Sequence, residues 1–364
     1  MTLKKKLSIL MISSSSSLGG GTKHMFSLGE NLKNDFKIFY AIPKNDVFKF
    51  YLNKENFQEI SERNLNFKDI YNLINFIKMK SIDIIHAHGK GAGVISRILK
   101  IILNKPLIYT FHGIHLKCHV WYKKFFYIIY EYLTGWLDSR KILVSNSERN
   151  YAKASKIYLG NKSIIINNGV SNMPMKSSFH KNKFLNSDLK DTYISVISIC
   201  RFVRQKNINE ILNIAFKLPN LKFYIVGNGP LWTQINDLIK NKNLKNVSLL
   251  GEKKNIFKYL YKSDIYLSSS LYEGLPISIL EAMSIGLPIV ASKVIGNCDA
   301  IDHGKSGFLY ELHNVNNAVC YLKKLSGNKD LMGEMGLSAF KRQRNYFSEN
   351  LMVSKYINLY KDQF

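Results

Sequence analysis

Two glutamates in one short segment have the spacing that most strongly suggests chemistry. Glu273 precedes Gly274-Leu-Pro276, and Glu281 follows within a stretch of helical periodicity. Proline is well tolerated in the first turn of a helix, so a helix is predicted to begin near Pro276, with Glu273 in the loop before it and Glu281 inside it. Two carboxylates can accept hydrogen bonds from the hydroxyls of a sugar and a ribose. The alternative is a capped surface helix whose acids are incidental.

The start of this helix and a second, basic segment are both predicted to bind an anion. The N–H groups of Gly274–Ile277 (Gly274, Leu275, Pro276 and Ile277) would face a ligand, and the helix dipole favours negative charge there. Arg201 and Lys206 follow a predicted strand. Arginine offers a bidentate fork and lysine a mobile point charge, which together suit a diphosphate. A solvated surface is the alternative for such a charge run.

A third candidate is the loop Ser13–Thr22, which contains Gly19, Gly20 and Gly21. Glycines let a backbone approach a ligand closely, and the helix that follows can face an anion. The loop has neither the GxGxxG spacing nor the Lys-Ser/Thr ending of a P-loop. A flexible turn without a ligand is the alternative.

Histidines form the fourth candidate, in the sequences His86-Ala-His88 and His112-Gly-Ile-His115, each at the end of a predicted strand. A zinc site would need a further ligand and second-shell partners, which the sequence does not indicate, so no metal is predicted. His112 is the better candidate for a polar contact to a transferred sugar or for a proton relay. His86 and His88 are equally well explained as hydrogen-bond partners that order their loops.

Composition places these sites in a globular protein of two domains. The chain has 364 residues, of which 46% are hydrophobic, and its four cysteines contain no CxxC pair. Reduced thiols in a cytosol are therefore predicted. The apolar stretch Leu7–Ile12 is better explained as a buried strand than as a signal peptide. No run approaches the roughly 20 apolar residues that span a bilayer.

The net charge of +26 is uneven, because residues 1–183 carry 29 Lys and Arg against 11 Asp and Glu. A basic half suits an anionic partner such as nucleic acid, a phosphate-bearing substrate or an acidic bilayer surface, although a lysine-rich proteome explains it equally well. The basic and aromatic segment Trp121–Tyr127 is predicted to be an amphipathic helix that rests on an anionic membrane surface, or else a core helix with a solvated edge. No nucleic-acid module is recognisable, and nucleic acid is not a predicted partner.

Short apolar runs alternate with helical segments along the chain, which predicts parallel sheets covered on both faces. The predicted fold class is α/β, with two Rossmann-like doubly wound domains that face a central cleft. The predicted parts are residues 1–172, a first domain; 173–190, a polar linker; 191–340, a second domain; and 341–364, a C-terminal helix that crosses back to the first domain.

These residues resemble those of the retaining glycosyltransferases of family 4, with the GT-B fold, over essentially the whole chain and most closely in residues 196–310. The resemblance implies an acceptor-binding domain in residues 1–172 and a nucleotide-sugar-binding domain in residues 191–340. It also implies that Glu273 approaches the donor sugar, Glu281 the ribose, and Arg201 and Lys206 the diphosphate. His112 is similar to the family's histidine near the reacting sugar. The resemblance also implies roles for the glycine loop under the phosphates and for a set of nucleotide-binding residues: Asn228, Gly229 and Glu252.

The sequence departs from the family at two places. Asn207 stands where a glycine often follows the lysine, and Gly296–Ile301 replaces the common Gly-Gly-x-x-Glu, so no role is transferred to Asp299. The resemblance implies retention by front-face attack, catalysis by His112, Glu273 and Lys206, and no need for a divalent metal or other cofactor.

The predicted reaction moves a hexosyl or N-acetylhexosaminyl group from a nucleotide sugar, with UDP favoured, to a glycan or polyprenyl-diphosphate-linked acceptor in surface polysaccharide assembly. The predicted location is cytoplasmic, peripheral on the inner face of the membrane. One alternative is a GT-B enzyme that does not transfer sugars, such as a UDP-N-acetylglucosamine 2-epimerase. Another, motivated by the charge, is a nucleic-acid-binding protein.

Overall fold

The computed structural model describes residues 6–17, 19–45, 52, 55–62, 66–114, 116, 120–176 and 193–364. The chain divides into two compact units. The first combines residues 1–168 with the C-terminal residues 350–364, and the second comprises residues 169–349. No helix among the described residues is long and apolar enough to cross a membrane.

The first unit contains a parallel sheet of seven strands in the order β3-β2-β1-β4-β5-β6-β7. Its central strands are buried along their whole length, which explains their unbroken apolar sequences. The strands are β1 (Ser8–Ile12), β2 (Lys37–Ile42), β3 (Phe57–Glu59), β4 (Ile84–His88), β5 (Leu107–Thr110), β6 (Arg140–Leu143) and β7 (Ser163–Ile165).

Helices cover both faces of this sheet, and the sheet separates two apolar clusters, one on each side. The helices are α1 (Gly20–Leu32), α2 (Phe67–Met79), α3 (Lys90–Leu103), α4 (Trp121–Thr134) and α5 (Asn146–Ala154). The last helix of the chain, α13 (Glu349–Lys361), packs Met352, Tyr356 and Tyr360 into the cluster that also contains Ile9 and Met11 of β1. The C-terminal segment is therefore part of the first unit's core.

The second unit repeats the plan with six parallel strands in the order β10-β9-β8-β11-β12-β13. They are β8 (Ser195–Ile199), β9 (Lys222–Val226), β10 (Val247–Gly251), β11 (Ile265–Ser268), β12 (Ile289–Ser292) and β13 (Gly307–Tyr310). The helices are α6 (Ile208–Phe216), α7 (Trp232–Asn241), α8 (Phe257–Lys262), α9 (Ile277–Ser284), α10 (Asn297–Ala300), α11 (Val315–Ser326) and α12 (Lys329–Tyr346).

The boundaries of the two units differ slightly from the predicted domain boundaries. The contacts change over after Asn168, a few residues before the predicted end of the first domain, and again after Glu349. Residues 177–192, most of the predicted linker, lie outside the described residues. Its beginning belongs to the second unit, where the Lys176 N–H donates to Ile285 O at 2.7 Å.

Both sheets have the doubly wound order: successive strands are added first on one side of the first strand and then on its other side. The switch points lie between β1 and β4 in the first unit and between β8 and β11 in the second. Ligands of such sheets bind beyond the carboxyl ends of the strands at the switch point. The loops that follow β1, β8 and β11 contain the three glycines, Lys206 and Glu273, and His88 is the last residue of β4.

Candidate active site

Two loops of the second unit are joined side by side at its switch point. The Leu271 N–H donates to Gln205 O, and the Gln205 side-chain amide donates to Tyr272 O, both at 2.8 Å. The Ser269 hydroxyl donates to Lys206 O at 2.9 Å and to Asn207 O at 3.0 Å. The loop after β8 is therefore fixed to the loop after β11. Sequence reasoning missed Gln205 and Ser269, because only the fold brings their partners close.

The contact between Lys206 and Glu273 unites two residues that were predicted separately. The Lys206 Nζ donates a hydrogen bond to Oε1 of Glu273 in an ion pair. The Lys206 side chain is 19% exposed and that of Glu273 is 9% exposed. A pair so shielded from water interacts more strongly than a surface pair, and loss of one partner leaves the other charge buried. The site thus holds one positive and one negative group at the mouth of the switch point.

Glu281 and the turn before it are arranged close to the prediction. Helix α9 begins at Ile277. Pro276, predicted to lie in the first turn, is the N-cap residue just before the helix and has extended backbone. Glu281 lies in the second turn and is buried. Pro276 has no N–H, so it shapes the turn but cannot donate to a phosphate; Gly274, Leu275 and Ile277 carry the N–H groups of this segment.

The remaining predicted nucleotide-site residues follow neighbouring strands of the same sheet. Arg201 is exposed just beyond β8. Asn228 follows β9, and its carbonyl accepts from the Phe202 N–H at 2.9 Å while its side chain accepts from the Gly229 N–H at 2.7 Å. Glu252 is exposed directly after β10. Adjacent strands therefore place all of these residues at the same edge of the sheet.

Gly296 supports the Glu273 loop from behind, a role that sequence reasoning missed. It is the N-cap residue of α10, with a φ of +83°. A Cβ atom added there would lie 2.4 Å from Gly274 O and 3.2 Å from the Cβ of Glu273. Asp299, in the same short helix, is half-buried, and its carbonyl accepts from Arg342 at 2.8 Å. The segment that departs from the family pattern thus packs directly on the candidate site.

In the first unit, the glycine loop and His112 meet. Gly19 is the N-cap residue of α1, and the Thr22 hydroxyl donates to Ser17 O at 2.7 Å and to Gly19 O at 3.0 Å. A Cβ atom on Gly21 would lie 3.3 Å from the His112 ring. Glycine is therefore favoured at position 21, because the imidazole occupies the adjacent space.

A buried carboxylate holds the turn that carries His112. Glu148 is fully buried; its Oε1 accepts from the Gly113 N–H at 2.6 Å and its Oε2 from the Val144 N–H at 2.8 Å. His112 itself has a φ of +58°, an uncommon conformation that histidine tolerates better than most side chains. Strain of this kind persists where surrounding contacts enforce it, often at functional sites. Sequence reasoning missed Glu148.

Three other histidines surround His112. His88 Nδ1 lies 2.9 Å from His112 Nε2, and the two rings are stacked with centroids 5.2 Å apart. The His24 ring contacts His112 edge-on at 4.8 Å between centroids. His86 uses both nitrogens internally, with Tyr360 OH at 2.7 Å and Thr110 Oγ1 at 2.8 Å. His86 therefore joins α13 to the sheet, whereas His88 is placed to orient His112.

Burial keeps these imidazoles neutral. It lowers the pKa of His24 to about 4 and holds the pKa values of His86, His88 and His112 well below the usual 6.5, with further lowering from neighbouring imidazoles in the last three. At neutral pH, His112 can thus donate or accept a hydrogen bond but carries no charge.

The histidine cluster also has the donors of a metal site. One nitrogen from each of His24, His88 and His112 lies within 4.8 Å of the others. Neutral imidazoles are ordinary zinc ligands, but a tetrahedral site also needs a fourth ligand, and no carboxylate or thiolate among the described residues joins this group. Sequence reasoning missed His24, since it comes from a helix far from both histidine motifs. The predicted independence from metal stays a prediction, and His115 lies outside the described residues.

Acidification is expected to destabilise the first unit through His24. The unfolded chain binds a proton at this imidazole near pH 6.5, whereas the folded chain binds it only near pH 4. The stability is therefore complete above pH 6.5 and falls as the pH drops towards 4, by about 3 kcal/mol from this residue. His24→Gln should flatten the pH dependence of the unfolding midpoint.

The control for this measurement is His303→Gln, which removes an exposed imidazole of the second unit. Its pH profile should match that of the wild type. An equally steep loss of stability in the His24→Gln variant would show that other groups control acid unfolding.

Two family models together match most of the chain. Residues 18–172 match the family model described as Glycosyltransferase Family 4, and residues 180–342 match that of Glycosyl transferases group 1. The chain belongs to the family 4 glycosyltransferases. It is a glycosyltransferase, and its two doubly wound parallel sheets are those of the GT-B fold, as predicted.

Several relatives match most of the chain. It is 27% identical over 318 residues to the Escherichia coli UDP-Gal:alpha-D-GlcNAc-diphosphoundecaprenol alpha-1,3-galactosyltransferase. This match covers 81% of this chain and 79% of that protein. The chain is 23% identical over 349 residues to the Staphylococcus aureus capsular polysaccharide biosynthesis glycosyltransferase CapM, covering 91% and 87%. The crystal structure of Anabaena Alr3699/HepE with UDP and glucose superimposes with a TM-score of 0.83 at 16% identity, covering 98% and 100%.

The family assignment favours transfer over both alternatives considered from the sequence, a 2-epimerase and a nucleic-acid-binding protein. The roles predicted for the individual site residues stay predictions. The structure places Arg201, Lys206, Glu273, Glu281, Asn228, Gly229 and Glu252 at one edge of the second sheet, and Gly19, Gly20, Gly21 and His112 at one edge of the first.

Proposed function

We propose that this glycosyltransferase moves a hexosyl or N-acetylhexosaminyl group, with retention, from a UDP-sugar to a glycan or polyprenyl-diphosphate-linked acceptor of a surface polysaccharide. The observation that carries the proposal is the shielded Lys206–Glu273 pair at the second unit's switch point. Support for the substrates comes from the names of the relatives: one uses UDP-Gal and a diphosphoundecaprenol-linked sugar, and a structural neighbour binds UDP.

Different residues of the site bind the diphosphate, the sugar, the ribose and the base of the donor. Arg201, Lys206 and the N-terminal turn of α9 supply positive charge and N–H donors for the diphosphate. Glu273, held against Lys206, accepts hydrogen bonds from the hydroxyls of the sugar. Glu281 accepts from the ribose hydroxyls, and the strand ends that carry Asn228, Gly229 and Glu252 bind the base.

The proposed chemistry is a front-face displacement at the anomeric carbon. The bond from this carbon to the diphosphate oxygen breaks, and a bond to the acceptor hydroxyl forms on the same face. The proton of that hydroxyl passes to an oxygen of the departing diphosphate, whose growing charge Lys206 stabilises. The role predicted for His112, a polar contact to the transferred sugar, is then that of a neutral hydrogen-bonding group.

No divalent metal is required in this proposal. Two cationic side chains and the α9 backbone neutralise the leaving diphosphate in the way that a bound ion does in metal-dependent enzymes. The donor should therefore bind and react in the presence of EDTA.

The two glutamates should separate binding from turnover. Calorimetry with UDP in EDTA should show binding by the wild type and a loss of about tenfold or more in Glu281→Ala, because a hydrogen bond to a charged group is worth about 1.5–3 kcal/mol. Glu273→Ala should retain UDP affinity more closely and lose turnover, since its carboxylate is assigned to the sugar.

A thermal-shift screen with UDP, GDP, ADP and their sugars tests the proposal as a whole. Stabilisation by UDP and its sugars above the others is the expected result. If no nucleotide raises the unfolding midpoint, the assignment of a nucleotide sugar to this site is wrong. Stronger stabilisation by GDP would correct the base while leaving the donor site in place.

A further inference from the structure

Helix α4 of the first unit leaves a broad aromatic and aliphatic side exposed to water. Among its residues, Glu131 is the buried one, while aromatic and aliphatic side chains cover the opposite side. Tyr127 and Ile128 are half-buried against the apolar core of the unit. A helix of a globular protein normally buries its apolar residues on one side and exposes polar ones on the other, because burial of apolar surface drives its packing. The second, exposed apolar side of α4 therefore does not serve packing within the described part of the chain.

The inner side is held by a charged network. Arg97 of α3 donates to Glu131 at 2.8 Å and to both carboxylate oxygens of Asp138, at 2.7 and 3.0 Å. It also donates to the Thr134 hydroxyl at 2.9 Å. All three charged side chains are buried. Since removal of one partner from such a network is strongly destabilising, these contacts fix α4 on the body of the unit.

The outer side is a continuous apolar stripe, called here the α4 face. It continues from α4 into the following turn, Gly135–Leu137. At 100° per residue, its members lie within an arc of about 140°. Their exposed fractions are between 55 and 79%. The residues are Trp121, Phe125, Phe126, Tyr132, Leu133 and Trp136. Contiguous exposed apolar patches rimmed by polar residues mark interaction sites.

The charges around the α4 face are of one sign. Between Arg97 and Lys162 the sequence has twelve Lys and Arg and three acids. The three acids, Glu131, Asp138 and Glu148, are all buried. Lys123 and Lys124, at the first turn of α4, are exposed. In the described part of this segment, the charges that reach water are therefore positive.

We propose that the α4 face docks on an anionic lipid bilayer, with the aromatic side chains in the interfacial region and the lysines at the headgroups. Apolar stripes rich in Trp and Phe beside Lys are the chemistry of interfacial helices. A second copy of the chain is less well suited, because two such faces would bring like charges together. The inference rests on the proposed function in one respect: a polyprenyl-linked acceptor would be reached from such a surface.

The test is co-sedimentation of the full chain with vesicles of phosphatidylcholine alone or with phosphatidylglycerol added. The wild type should bind the anionic vesicles, and less so at high salt. Trp121→Ala/Phe125→Ala/Phe126→Ala should reduce partitioning by tenfold or more, because the variant loses the apolar groups that insert into the interface. Lys123→Gln/Lys124→Gln should reduce it roughly 25-fold, since each cation near an anionic surface contributes about fivefold.

Matched controls come from other exposed positions. Phe67→Ala/Tyr71→Ala removes exposed aromatic groups of α2 in the same unit, and Lys323→Gln/Lys324→Gln removes an adjacent exposed lysine pair of α11. Both controls should partition like the wild type. The thermal unfolding midpoint, measured for each variant without ligand, verifies that the chain is folded.

Three results would overturn the docking proposal. One is no binding to anionic vesicles at low salt, another is equal loss in the control variants, and the third is a dimer in solution that the aromatic substitutions abolish. If vesicles are not bound while a water-soluble acceptor is still glycosylated, docking is wrong and the proposed function stands. If vesicles are bound but no UDP-sugar is used, the proposed function fails and docking stands.

Discussion

Replacing Lys206 with methionine is expected to lower kcat by about 10²- to 10³-fold, the usual cost of losing one group that stabilises developing charge. Methionine keeps most of the length and apolar stem of the side chain but removes the ammonium. The diphosphate would then lose a cation, and Glu273 would keep a buried charge without its ion-pair partner. Steady-state kinetics with a UDP-sugar, beside thermal unfolding, measures both effects.

A double-mutant cycle with Glu273→Gln shows whether the two residues act together. If Lys206 and Glu273 form one catalytic unit, the double variant should be little worse than the more damaged single variant. The control is Lys305→Met, which removes an ion pair with Asp302 that is largely exposed in the same unit. Its activity should be unchanged, because exposed pairs contribute little. A Lys206→Met variant as active as this control would remove Lys206 from the mechanism.

The fold and much of the candidate site could be predicted because the signals are local. Strands of parallel sheets are buried on both faces, so their unbroken apolar runs stand out, as in β1 and β2. Residues that follow such strands must lie at one edge of the sheet, which is why Lys206 and Glu273, each predicted from its own segment, lie together. Helix α2 was missed, although Ile70, Leu73, Phe76 and Ile77 have helical spacing and are buried.

The missed residues share a physical reason: each acts through a partner distant in sequence. Gln205 bonds to Tyr272, Glu148 reaches back to Gly113, and His24 meets His112 across the sheet's edge. None of them has a local pattern that distinguishes it from an ordinary polar residue. The pKa values of the histidines could not be predicted either, because they depend on burial that only the folded unit creates.

Replacing Gly296 with alanine is expected to have the second large effect, although no substrate group is assigned to this residue. The new Cβ would lie 2.4 Å from Gly274 O, closer than non-bonded atoms approach, so the loop of Glu273 must shift. A displacement of about 1 Å at a catalytic group can cost about 10²-fold in rate. The positive φ adds a further penalty of roughly 1–2 kcal/mol for any side chain.

Gly304 provides the matched control that separates these two causes. Its φ of +81° is nearly that of Gly296, but a Cβ atom there meets nothing within 4 Å. Gly304→Ala should therefore lower the unfolding midpoint by the backbone penalty and leave kcat near that of the wild type. Gly296→Ala should lose both stability and turnover, with UDP affinity reduced less than kcat. Equal activity in the two variants would mean that the α10 segment does not position Glu273, and that the departure from the family's Gly-Gly-x-x-Glu pattern has no bearing on catalysis.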